Sequence, residues 1–143
     1  MTPEEFAQRI NEWVRGTMIE NHGTRVLSAG EGRARTQLAF KPSLTQLTGL
    51  FHAGAIIALA DETATSAAMW ETNPTAEFRP ELFPLTLQLS VNLLRNTNQG
   101  TLTAEAEIVH RGRTTLVVDV HVWDEQQRMI AKVTVTLLRP TPR

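Results

Sequence analysis

Two carboxylates, Asp61 and Glu62, interrupt an otherwise apolar run in residues 46–66, QLTGLFHAGAIIALADETATS, just downstream of His52 and Gly54. Burying a carboxylate is expensive, so the interruption needs either a structural partner or a chemical task. A helix that starts near Gly54 exposes unpaired backbone N–H groups in its first turn, and such donors stabilise negative charge on a bound oxygen. Asp61 follows seven residues later, almost two turns on and on nearly the same side of the helix. A carboxylate and an oxyanion donor facing a carbonyl are what acyl transfer requires. The residues alone leave a plainer reading open, in which Asp61 bonds a strand or loop and Gly54 serves only turn geometry. Glu62 points about 100° away from Asp61, so one of the two faces a given ligand. The seven-residue spacing favours Asp61, with Glu62 as the alternative carboxylate.

The elements that must position these groups are legible in the pattern. Residues 52–70, HAGAIIALADETATSAAMW, are proline-free and rich in small side chains, which predicts a central helix over about 53–69 that strands can approach closely on several sides. Asn73 and Pro74 stop it. Upstream, Thr2, Pro3 and Glu5 form a capping signature before Phe6, Ile10, Trp13 and Val14, which share one face of a short amphipathic helix packed on the body as a lid. Residues 24–40 suggest a hairpin turning at AGEG, and the connector KPSLTQLTGLF places polar groups where ligands are commonly met. Segments 85–94, 101–110, 114–123 and 128–138 alternate with turns and predict four consecutive antiparallel strands in one meander. In the third, Leu116, Val118, Val120 and Val122 form an inward face. Hairpin, buried helix and strands in this order make an α+β domain spanning 1–143, with a curved sheet wrapped around the helix.

Composition narrows the function classes. A net charge of −1, from 14 basic and 15 acidic side chains, gives no case for nucleic acid or an anionic membrane. The absence of cysteine excludes disulfides, thiolate metal sites and cysteine nucleophiles. His22, His52, His110 and His121 are dispersed, so no metal is expected, and no phosphate-binding loop signals a nucleotide cofactor. With no signal-like start and no apolar stretch long enough to span a bilayer, the expected location is cytoplasmic.

Residues 49–61, GLFHAGAIIALAD, resemble the H-G-G-x-x-x-x-L-A-D segment of hotdog-fold acyl-CoA thioesterases of the phenylacetic-acid-pathway type. Gln46 before it, VNLLR at 91–95 after it and the terminal strands extend the resemblance over about residues 20–140. The resemblance implies a hotdog fold, hydrolysis of an acyl-CoA thioester without a cofactor, and sites shared between subunits of a homodimer or dimer of dimers. It places the family carboxylate on Asp61, as general base or nucleophile, and the carbonyl-polarising amide on Gly54, facing Asp61 of the other subunit. It further implies that Gln46 orients water or thioester, that Thr86 helps place the attacking water, and that Arg111 or Arg113 meets CoA phosphates. Ala53 replaces the first glycine of the usual pair, which is harmless in a helical conformation and unfavourable at positive φ. A catalytically silent acyl-CoA-binding protein is the alternative, and a dehydratase a weaker one. Ala58, Thr65, Ala67 and Ala68 could leave acyl space that Phe51, Met69, Trp70, Phe78 and Phe83 could close, so the acyl group stays undetermined, as does CoA versus acyl carrier protein.

Overall fold

The computed structural model describes residues 1–140. Its elements, in chain order, are α1 (Pro3–Trp13), α2 (Met18–His22), β1 (Arg25–Gly30), β2 (Arg33–Ala39), α3 (Ala53–Thr72), β3 (Leu85–Leu93), β4 (Thr101–Arg111), β5 (Thr115–Trp123) and β6 (Met129–Leu138). One six-stranded antiparallel sheet, ordered β1-β2-β4-β5-β6-β3, wraps α3, which packs against all six strands. This is the α+β hotdog fold.

Small side chains make the enclosure of α3 feasible. Ala60, Ala64, Ala67 and Ala68 are fully buried and keep the helix slim. Its buried hydroxyl at Thr63 donates to the Leu59 carbonyl at 2.6 Å and lies 2.7 Å from the hydroxyl of Thr36 on β2, so that polar group is satisfied inside the core. The facing strand surface is aliphatic. Leu116, Val118, Val120 and Val122 alternate inward along β5, each fully buried, and each such side chain contributes about 1.5–3 kcal/mol through burial. The helix runs one turn past the expected end at residue 69 and stops at Asn73, whose side chain holds the following loop through Arg79 N and the Glu77 carbonyl.

Local signals set the amino-terminal half. Thr2 Oγ1 accepts from Glu5 N at 3.1 Å while Glu5 Oε2 accepts from Thr2 N at 2.8 Å, closing the capping box that starts α1. The apolar face of α1 packs Phe6 edge-on against Trp70 of α3, with ring centroids 5.5 Å apart. The β1–β2 hairpin turns at Glu31 and Gly32, with φ of 56° and 79°, the pair of positive values that matches the twist of the flanking strands.

The expected single meander of four strands is corrected. Only β4, β5 and β6 follow one another in the sheet; β3 skips β4 and pairs with β6 at the far edge. Both sides of β4 are taken, by β2 and β5. The β3–β4 connector instead crosses the beginning of α3, where Asn96 Nδ2 donates to the Phe51 carbonyl at 2.8 Å and Phe51 N donates to the Thr97 carbonyl at 3.2 Å. Consequently, among the described residues, one side of β3 has no strand beside it, and Leu85, Leu87, Leu93 and the adjoining Leu94 are exposed.

Candidate active site

The start of α3 is built by three converging segments. Phe51, fully buried, anchors the connector, and His52 N donates to the Leu44 carbonyl at 2.8 Å. His52 then caps the helix: its Nδ1 accepts from Gly54 N at 2.8 Å, which leaves the ring proton of a neutral imidazole on Nε2. The Gly54 amide therefore already has an acceptor in this structure. Ala53 is the first helical residue, and the only non-glycine residues with positive φ among those described are Glu31 and Gln127, so its methyl group is tolerated.

His22 supplies a support that residue spacing could not signal. It is buried, with Nε2 2.8 Å from the Ala55 carbonyl and Nδ1 2.8 Å from the Thr24 hydroxyl. A carbonyl only accepts, so Nε2 carries the proton and clamps α2 to the first turn of α3. Burial holds the imidazole below its ordinary value, against the Ala55 carbonyl and with help from the Lys41 charge. A cleft of about 440 Å³ opens beside this clamp, lined by His22, Thr45, His52, Gly54, Ala55 and Ala58.

Gln46 stands on the loop that enters the cap. Its Oε1 accepts from Thr48 N and from Thr48 Oγ1, the latter at 2.7 Å. A backbone N–H only donates, so the oxygen end faces the turn, and the Nε2 donors have no protein partner among the described residues.

Asp61 lies half-buried near the middle of α3. Its Oδ1 accepts from Thr86 Oγ1 at 2.6 Å, a short charge-assisted bond between the helix and the edge strand β3. Thr86 sits at the register shift in the β3–β6 pairing between Thr86 and Gln88, where the strand bends. Seven residues of helix separate Gly54 from Asp61 by roughly 10 Å along the axis, so one chain does not bring amide and carboxylate to a single carbonyl.

Glu62, the adjacent carboxylate, has different surroundings. It borders an apolar cavity of about 250 Å³ together with Trp13, Ile19, Met69, Phe78 and Phe83. Its side chain is half-buried and borders that cavity. Burial first, and the neighbouring Asp61 charge second, push its pKa up to about 8.

The arginines lie elsewhere. Arg111, at the end of β4, pairs through Nε and Nη2 with Glu71 Oε1, both at 3.0 Å, near the carboxyl end of α3. Seventeen residues of helix put Glu71 roughly 25 Å along the axis from Gly54. Arg113 is exposed in the β4–β5 turn and makes no ion pair among the described residues. Ala67, Ala68 and Thr65 are buried in the core, whereas Ala58 borders the cleft.

A long helix enclosed by one antiparallel sheet, with an acid at its middle and a capped glycine at its start, defines a class. Residues 48–131 match the thioesterase superfamily, and the chain belongs to that family of hotdog-fold proteins. ComA2 of Bacillus subtilis, named for a proposed esterase activity, is 32% identical over 114 residues, covering 80% of this chain and 86% of that protein. The 1,4-dihydroxy-2-naphthoyl-CoA hydrolase of Listeria monocytogenes is 27% identical over 111 residues, covering 78% and 85%. Among solved structures, protein PA5202 of Pseudomonas aeruginosa superimposes with a TM-score of 0.78 at 26% identity, covering 90% of this chain and 97% of that one. No described helix is long and apolar enough to cross a membrane.

Proposed function

We propose that the protein hydrolyses an acyl-CoA thioester to the free acid and CoA. The observation that carries this reading is the Asp61–Thr86 bond: Oδ1 is held at 2.6 Å, so the carboxylate is oriented at the strand edge while its second oxygen is left to act. Membership of the thioesterase superfamily supports the reaction class, and the relative named as a naphthoyl-CoA hydrolase supports a CoA ester as substrate. Asp61 activates water or attacks the acyl carbon directly. The Gly54 amide exchanges His52 for the thioester oxygen and stabilises the charge that develops there. Gln46 contributes its Nε2 donors, unpaired among the described residues, to water or carbonyl, and Arg113, which makes no ion pair among them, meets CoA phosphates. Arg111 joins it only by leaving Glu71.

Two sites form across a homodimer in this proposal, with Gly54 of one subunit opposite Asp61 of the other. The separation of these groups within a chain and the uncovered leucine-bearing edge of β3 support a shared site. Free-thiol release from a panel of acyl-CoAs, followed alongside sedimentation, tests both parts. Turnover by a dimer or dimer of dimers is expected. Ligand binding with no thiol release favours the silent acyl-CoA binder, and a monomer that stays active at micromolar concentration overturns the shared site.

A further inference from the structure

Helix α2 has five residues, Met18–His22, too few to hold themselves helical in water. It is tied down at its carboxyl end, where Gly23 N donates to the Ile19 carbonyl at 2.9 Å and Lys41 Nζ to the Asn21 carbonyl at 2.6 Å. Gly23, with φ of 100°, then turns the chain so that Thr24 comes back beside the ring of His22. The one buried residue of α2 is that histidine. A residue needed only for packing would be apolar, whereas His22 uses both ring nitrogens in directed bonds. Its Nε2–H donates to the Ala55 carbonyl, which leaves Nδ1 of the neutral ring to accept from the Thr24 hydroxyl, both at 2.8 Å. This line of bonds runs from the foot of β1, through α2, to the first turn of α3.

The turn it reaches carries the Gly54 amide. Upstream of that amide, Asn96 Nδ2 holds the Phe51 carbonyl and the Leu44 carbonyl holds His52 N, both at 2.8 Å. Downstream, His22 holds the carbonyl of the very next residue, Ala55. Among the described residues, the next side-chain bond from α3 to another element is that of Asp61 to Thr86. His22, Gly54 and Ala55 also line the same cleft of about 440 Å³, so clamp and amide border one space. A donor stabilises developing charge best when it needs no reorganisation at the moment of reaction. In the exchange proposed above, the Gly54 amide leaves His52 Nδ1 for the thioester oxygen, so the ring that caps it cannot be what keeps it aimed. The aim has to come from the backbone on either side.

We propose that His22 is a positioning residue for the reaction: by holding the Ala55 carbonyl it keeps the Gly54 N–H in place when His52 lets go. The proposal rests on the acyl-CoA reading above and adds to it the group that fixes the oxyanion donor. Thr24 is part of the device, because its hydroxyl engages Nδ1 and so leaves the ring proton on Nε2, where it meets the Ala55 carbonyl.

The test compares three substitutions that differ in donor and reach. In His22→Gln the side-chain amide extends to the position of Nε2 and still donates to Ala55, in His22→Asn it stops near the position of Nδ1, and His22→Leu fills the space with no donor. Circular dichroism, and affinity for a thioether analogue of an acyl-CoA that has no carbonyl, confirm fold and cleft in each. Thiol release from acyl-CoAs is expected to show kcat lowered about tenfold to hundredfold by His22→Asn and His22→Leu with KM little changed, and most of kcat kept by His22→Gln. A ketone analogue, with a methylene between carbonyl and sulfur, reports the donor directly. Its infrared carbonyl band is expected at lower frequency in the native protein and His22→Gln than in the other two. Unchanged kcat in folded His22→Asn or His22→Leu, an equal loss in His22→Gln, or a loss with no movement of the carbonyl band overturns the proposal and leaves the hydrolase reading standing. Where neither variant folds, Thr24→Val takes their place, with a smaller shift of the same sign expected and no shift overturning the proposal. Native protein that neither releases thiol nor binds either analogue removes both readings.

Discussion

Asp61 and Glu62 are neighbours on one helix, yet they face different surroundings. Asp61 meets a hydroxyl donor on an edge strand, while Glu62 meets aromatic rings and an empty apolar space. A rotation of about 100° around the helix axis is all that separates them. The contrast teaches that acid chemistry in this fold is assigned by which wall a helical position faces, because strand edge and helix lid supply different partners. It also makes the two residues separable by experiment.

The largest expected effect comes from Asp61→Asn. The amide keeps the size and removes the charge, so thiol release from acyl-CoAs should fall by about 10²–10⁴-fold while circular dichroism and ligand binding persist. Near-native activity in the folded variant would transfer the chemical role to Glu62 and collapse the contrast.

Glu62 should write its environment into the pH dependence of stability. Its ordinary value is 4.5 and its folded value about 8, so between these the folded chain holds a proton that the unfolded chain has released. The folded state binds more protons there, and stability contributed by neutral Glu62 is complete below 4.5 and lost as pH rises through about 8. Denaturant unfolding should show this decline with a slope approaching about 1.4 kcal/mol per pH unit, and Glu62→Gln should flatten it. Asp61→Asn removes a charge that helps hold the value up, so it should move the upper end of the decline to lower pH. A native profile indistinguishable from that of Glu62→Gln would mean that Glu62 ionises freely.

A smaller effect is expected from Thr86→Val, which deletes the 2.6 Å bond and preserves shape. Losing one charge-assisted bond corresponds to about 1.5–3 kcal/mol, or roughly ten- to hundredfold in kcat/KM if the bond orients Asp61 for reaction. Unchanged kinetics would show that Asp61 is oriented by other contacts.

The sequence carried some of this organisation more fully than the rest. The capping box at Thr2–Glu5, the enclosed alanine-rich helix and the alternation of β5 were readable because each depends on neighbours within a few residues. The place of β3 was not, since alternation identifies a strand but does not say which edge it joins. The residues flagged as site candidates were readable by type and spacing, and their surroundings were not. The Glu62 cavity combines walls from Trp13 and Phe83, residues far apart in the chain, and the His22 clamp joins positions 33 residues apart. Nothing in a lone histidine marks such a contact.

The route of the chain through the sheet also has a consequence for synthesis. β3 leaves the ribosome before β4 and β5, yet among the described residues its only strand partner is β6, whose last residue is Leu138. Helix α3 and the β1–β2 hairpin can assemble from contacts already made, whereas β3 must wait with its backbone donors and acceptors unpaired for the final strand. Such non-local pairing is slow to form and leaves apolar strand edges available to other chains in the interval. Because Thr86 belongs to β3, the nascent protein acquires its Asp61–Thr86 bond at the last step of sheet closure, so a chain truncated before β6 would be sticky and would lack that bond.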